Sequence, residues 1–96
     1  NDRLRAEVVD VDGFGNLITN LNAMKWRLME HDGIRVVVGG LSIAVRHTYA
    51  DVAPGEVLAL VGSDGYVEVA VREGNAAMLL GLGVGSAVEV QGLKSA

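Results

Sequence analysis

The sequence predicts a single small all-β domain, a β-barrel or sandwich with one or two short helices, and three observations predict it. Short runs alternate apolar and polar residues with a period of two, glycine-bearing turn sequences separate the runs, and only two segments show helical spacing. Ninety-six residues, half of them hydrophobic and 21% charged, are enough for one modest core and exclude intrinsic disorder. One domain over residues 1–96 is expected.

Residues 7–12 alternate valine with acids, and Gly13 and Gly15 then bracket Phe14, so a strand ends in a tight turn before residues 16–20 resume extended. Over residues 21–32, Asn22 supplies a cap, Met24 and Leu28 stand four apart, Lys25 and Met29 likewise, and Gly33 can stop the chain. That spacing predicts a short helix. Residues 36–38 lead through Gly39-Gly40 into a run that puts Leu41, Ile43, Val45, His47 and Tyr49 on one face. Ser42, Ala44, Arg46 and Thr48 take the other, which makes a hairpin. Pro54-Gly55 suits the central positions of a type II turn, where proline presets φ and glycine accepts a positive φ, and a strand over Val57–Val61 follows. Ser63-Asp64-Gly65 makes the next turn and Tyr66–Val71 the next strand, with Tyr66, Glu68 and Ala70 facing away from Val67, Val69 and Val71. Asn75 caps and Gly81 stops a helical stretch over residues 75–80, and Val88 and Val90 lie in a final strand.

Several function classes drop out. The net charge is −4 and the longest basic cluster is the Lys25/Arg27 pair, which is no footprint for a phosphate backbone, so nucleic acid is not an expected partner. The absence of cysteine removes disulfides and thiolate metal sites and makes a reducing cytoplasm the simplest compartment. No apolar run approaches a membrane span, so no membrane partner is expected. The chain opens at Asn1 almost directly into a strand pattern, as a piece of something longer would. Gly81-Leu82-Gly83-Val84-Gly85 is followed by Ser86 and comes after a helix, which rules out a dinucleotide fingerprint. A calcium loop starting at Asp10 would need a glutamate where Leu21 stands. His31 and His47 have no metal-ligand context, and Ser63 has no histidine to activate it.

Three residues remain for chemistry. Asn16 can satisfy loop backbone groups or offer its amide to a nucleobase edge, and Phe14 and Tyr49 can serve as core or stack on a planar ring. Residue chemistry alone leaves these alternatives open.

Residues 9–20, VDVDGFGNLITN, resemble the FGN-x-x-TN signature of the S-adenosyl-L-methionine hydroxide adenosyltransferases, the family that includes the fluorinating and chlorinating enzymes. Residues 48–56, TYADVAPGE, are similar to its aromatic-ADV-x-x-GE segment. Residues 61–71, with Gly74-Asn75-Ala76-Ala77 after them, resemble its S-x-G-x-L-E-I-A-V and GNAA stretches. The three blocks are collinear and cover most of residues 7–90.

The resemblance implies a C-terminal β-barrel-like domain that forms the adenine pocket and part of the methionine pocket. A separate N-terminal domain, absent here, would hold the nucleophile, in a trimer with sites between subunits. It implies S-adenosyl-L-methionine as substrate, adenosine as product, and neither cofactor nor metal. Carried over by position, Phe14 and Tyr49 would flank adenine, Asn16 would bond its edge, and Gly74, Asn75 and Ala76 would offer backbone groups to it. Asp12 and Ser63 would lie toward the methionine end, with no catalytic residue in this chain. Ile18 stands where the halogenating relatives carry tryptophan and Asp64 where they carry arginine, so the resemblance favours hydrolysis over halogenation. A non-catalytic adenosine-binding module and a structural oligomerisation barrel are the rival readings, and an N-terminal partner domain in the same reading frame would separate the enzyme from both.

Overall fold

A sheet with one apolar face lowers its free energy by curling until that face meets itself. The computed structural model, which describes residues 3–93, shows this outcome. Its strands are β1 (Arg3–Val11), β2 (Leu17–Asn22), β3 (Arg35–Val38), β4 (Leu41–Ala44), β5 (Val57–Val61), β6 (Tyr66–Val71) and β7 (Ala87–Gln91), with one short helix, α1 (Ala76–Leu80). The order across the sheet is β4-β3-β7-β1-β2-β6-β5, every neighbouring pair antiparallel. Its ends meet where Val45 and Ala59 form a parallel bridge and Arg46 N–H donates to the Ala59 carbonyl at 2.7 Å, so the barrel is nearly closed.

β1 makes the curl possible. Residues 3–7 pair with β7 and residues 8–11 with β2, and the register slips between Val8 and Asp10. Such a bulge bends a strand and sharpens its twist. Asn20 Oδ1 accepts from Glu7 N–H at 2.9 Å beside it. Inside, Val8, Leu17, Leu21, Val36, Val38, Val67, Val69, Val88 and Val90 are each at most 2% exposed. β-Branched side chains fill a pleated interior with little loss of rotamer freedom, which is why valine dominates.

The β5–β6 edge is buried on both faces. Leu58 and Leu60 are in register with Ala70 and Glu68 and so share the outward face, where Leu58, Leu60 and Ala70 pack with Val52. The connection between β4 and β5 folds over that face. Arg72 clamps it, its Nη1 donating to the Val52 carbonyl at 2.6 Å and its N–H to the Glu56 carbonyl at 3.0 Å. The type II turn stands as expected, with Gly55 at φ +85° and Glu56 N–H donating to the Ala53 carbonyl.

Two expectations are corrected. No helix spans residues 21–32. Asn22 does cap, accepting from Met24 and Lys25 N–H at 3.0 Å, but Arg27 takes a left-handed φ of 51° and only a 3-10 turn, Leu28–Glu30, follows. Leu28 is buried whereas Met24 is 85% exposed, so the pair four apart shares no face that a helix could bury. The run from Leu41 to Tyr49 is also shorter than its alternation suggests. Asp51 Oδ2 accepts from His47 and Thr48 N–H at 3.1 and 3.2 Å and turns the chain into a 3-10 turn, Tyr49–Asp51, which removes His47 and Tyr49 from the face of Ile43.

Candidate functional site

One carboxylate builds the β1–β2 turn. Asp12 Oδ1 accepts from the N–H groups of Phe14 and Asn16, and Oδ2 accepts from Asn16 Nδ2, each at 2.9 Å. The main chain adds Gly15 N–H to the Asp12 carbonyl and Asp12 N–H to the Asn16 carbonyl at 3.0 and 3.1 Å. Burial pushes the Asp12 carboxyl up, but the hydrogen bonds from Asn16, Phe14 and Gly15 outweigh it and hold the group below the ordinary aspartate value. The turn leaves Phe14 81% exposed and Asn16 only 8% exposed. A carboxylate only accepts, so Nδ2 of Asn16 faces it and Oδ1 turns away from Asp12.

The 3-10 turn brings Tyr49 to the same place. Burial raises its phenol, the Glu68 and Asp12 carboxylates raise it further, and a hydrogen bond with the Asn16 side chain acts in the opposite sense, as an amide donor favouring the phenolate does. Phe14, Asn16, Tyr49, Val71, Glu73 and Gly74 line one open groove of about 550 Å³. It lies at the barrel's rim, between the β1–β2 turn, the connection over the outward face, and the β6–α1 loop.

α1 is fastened to this turn. Ala77 N–H donates to the Gly15 carbonyl at 2.9 Å, and Asn75 Oδ1 accepts from Met78 N–H at 2.9 Å as the helix cap. Gly15 has φ +85°, and any Cβ there would collide with the Asn75 amide, so glycine is required twice over.

Of the residues expected at the site, Phe14, Asn16, Tyr49 and Gly74 share the groove. Asp12 underlies it, with both oxygens engaged by the turn. Asn75 and Ala76 form the wall behind it, Asn75 as a cap and Ala76 fully buried. Ser63 is exposed in the β5–β6 turn and is not a groove-lining residue. Val71 and Glu73, which also line the groove, were missed. Among the described residues, no three of His, Asp and Glu are grouped so as to hold a metal ion, and no helix is long and apolar enough to cross a membrane.

A nearly closed antiparallel barrel with an aromatic-flanked carboxamide in a rim groove defines a small β-domain with a candidate ligand site. Comparison with known proteins places it further. Residues 6–89 match the family described as SAM hydroxide adenosyltransferase C-terminal domain, and the chain belongs to that family. It is 42% identical over 84 residues to an (R)-S-adenosyl-L-methionine hydrolase of Thermus thermophilus, covering 88% of this chain and 31% of that protein. It is 42% identical over 89 residues to one of Salinispora tropica, covering 93% and 33%. Among solved structures, an uncharacterized conserved protein from Thermotoga maritima superimposes with a TM-score of 0.78 at 33% identity, over 95% of this chain and 36% of that one. A conserved hypothetical protein from Thermus thermophilus gives a TM-score of 0.78 at 39% identity, over 94% and 36%. The chain thus spans about a third of the length of the curated relatives it matches.

Proposed function

We propose that this chain forms the adenine- and methionine-binding part of an enzyme that hydrolyses S-adenosyl-L-methionine to adenosine and L-methionine. The observation that carries the reading is Asn16: a carboxamide 8% exposed, oriented by Asp12 through Nδ2, in a groove flanked by Phe14 and Tyr49. The exocyclic amine of adenine offers Oδ1 a donor, and the two rings supply faces for the purine. Gly74 lets the main chain approach the base.

In the reaction, water or hydroxide attacks ribose C5′, the C5′–sulfur bond breaks, and its electron pair stays on sulfur. Methionine leaves as a neutral thioether, and the attacking water gives up a proton. This chain's part is positional. It holds the adenine and methionine ends so that C5′ meets a nucleophile supplied by an N-terminal domain, which converts an encounter into an oriented displacement. Sites completed between subunits of a homotrimer, and a cytoplasmic setting, belong to the same proposal.

The test pairs calorimetric titration of adenosine and S-adenosyl-L-methionine into this chain with chromatography of products from the protein that joins it to an N-terminal domain. Adenosine binding here and adenosine release there are expected. No adenosine from the joined protein would end the hydrolase reading, and 5′-haloadenosine formed in chloride would replace it with halogenation.

A further inference from the structure

We propose that Asp32-Gly33 is a self-modifying site, where the chain isomerises to an isoaspartyl linkage through a succinimide, and that the fold confines this chemistry to one of three Asp-Gly pairs. Asp12-Gly13, Asp32-Gly33 and Asp64-Gly65 are alike in sequence. In each, glycine offers a main-chain nitrogen that no side chain shields, placed so that a five-membered ring can close onto the preceding carboxyl carbon. They differ in which of the reacting atoms the fold has already engaged.

The step starts from the protonated carboxyl. Gly33 nitrogen gives up its proton and attacks Asp32 Cγ, an N–Cγ bond forms, and the carboxyl hydroxyl departs with a proton as water. The ring then takes water back at either carbonyl. Opening at Cγ restores aspartate. Opening at the main-chain carbonyl of Asp32 leaves the chain running through Cγ, one methylene longer, with the former main-chain carbonyl as a free carboxylate. No atom is gained or lost overall, and water is the only co-reactant.

Two of the pairs are held. Asp12 Oδ1 accepts from Phe14 and Asn16 N–H and Oδ2 from Asn16 Nδ2, each at 2.9 Å, which favours the ionised form and fixes the carbon. At Asp64-Gly65 the nucleophile is occupied: Gly65 N–H donates to the Gly62 carbonyl at 2.9 Å, and Asp64 Oδ1 accepts from Tyr66 N–H at 3.2 Å. Asp32-Gly33 differs in both respects. Among the described residues, no hydrogen bond or ion pair engages the Asp32 carboxylate, and none engages Gly33 N–H. Both residues are exposed, between the 3-10 turn Leu28–Glu30 and β3, and Asp32 lines an open cavity of about 320 Å³. Each hydrogen bond that must break first slows ring closure by roughly 2- to 12-fold, and more where the acceptor is charged.

The experiment ages the wild-type chain in heavy-oxygen water at neutral pH, native and unfolded in guanidinium chloride, and follows each Asp-Gly peptide by chromatography and electron-transfer fragmentation. Each passage through the ring adds one heavy oxygen, whichever way it opens. Expected in the native chain is label and isoaspartyl peptide at Asp32, roughly tenfold or more ahead of Asp12 and Asp64, with comparable rates at all three in the unfolded chain. Native Asp12 or Asp64 keeping pace with Asp32 would overturn the proposal, as would an Asp32 that reacts only when unfolded. Three inert pairs in the unfolded chain would overturn it too, by removing the intrinsic reactivity. Asp32→Glu, whose larger ring closes far more slowly, should abolish the native signal; a signal that persisted would belong to another residue and overturn the assignment.

Discussion

Replacing Asn16 with alanine tests the site where its geometry is most specific. The substitution removes two things. One is the Nδ2 bond to Asp12 Oδ2 at 2.9 Å, which ties the far end of the turn to its organising carboxylate. A hydrogen bond to a charged group contributes about 1.5–3 kcal/mol, and the four remaining bonds of the turn soften the loss toward the lower figure. The other is Oδ1, the amide's acceptor, which is turned away from Asp12. If it pairs with the exocyclic amine of adenine, its removal leaves that amine desolvated and unpaired, a cost of about 1–3 kcal/mol, or roughly 5- to 150-fold in Kd. Urea unfolding reads the first term and calorimetric titration of adenosine the second. Asn16→Asp sharpens the experiment, since it keeps the shape but faces Asp12 with another carboxylate, so it should be the more damaging to both. Unchanged adenosine affinity in a folded Asn16→Ala protein would refute the assignment.

Three further outcomes follow from the structure. Asn75→Ala removes the cap that accepts from Met78 N–H, and urea unfolding should show a loss of about 1 kcal/mol; no loss would mean that α1 is held only by its bond to Gly15. Glu73 has φ +57° with only an exposed ion pair to Arg72, so Glu73→Gly should raise the thermal midpoint by relieving about 1 kcal/mol of backbone strain, and a lowered midpoint would show that the ion pair outweighs the strain. Glu68 titrates above its unfolded value, so the native state binds the extra proton just above the ordinary glutamate range and stability falls as pH rises through that window. Asp12, held below its ordinary value, acts with the opposite sign at lower pH, where stability is lost as pH falls. Urea titrations across pH should therefore show the upper fall disappear in Glu68→Gln while the acid-side loss persists; an unchanged profile would place Glu68 in water, away from the other carboxylates.

The signature residues divide their labour in a way that only coordinates expose. Asn16 lines the groove, while Thr19 is buried with its hydroxyl donating to the Val67 carbonyl at 2.7 Å, and Asn20 accepts from Glu7 beside the β1 bulge. A signature read as one functional unit is thus two groove residues, Phe14 and Asn16, followed by two that hold strand register. Asn75 is similar, since its side chain is occupied as a helix cap.

Local chemistry was legible from residue order. Period-two valines, the Pro54-Gly55 turn, the cap at Asn75 and the stop at Gly81 each depend on neighbours a few positions away, and each stands as expected. What went wrong lay outside the period-two and helical patterns. The helix expected over residues 21–32 lost because Met24 has nothing to bury against, and the hairpin strand ended early because Asp51 captures the backbone at His47 and Thr48. The site itself was decided by tertiary structure: Phe14, Tyr49 and Gly74 are far apart along the chain and share a groove because barrel closure and the Arg72 clamp lay one loop over the outward face of β5 and β6. Alternation determines which side of a strand a residue takes. Which sides are then covered is a property of long-range packing, and Glu68 owes its acidic surroundings to that.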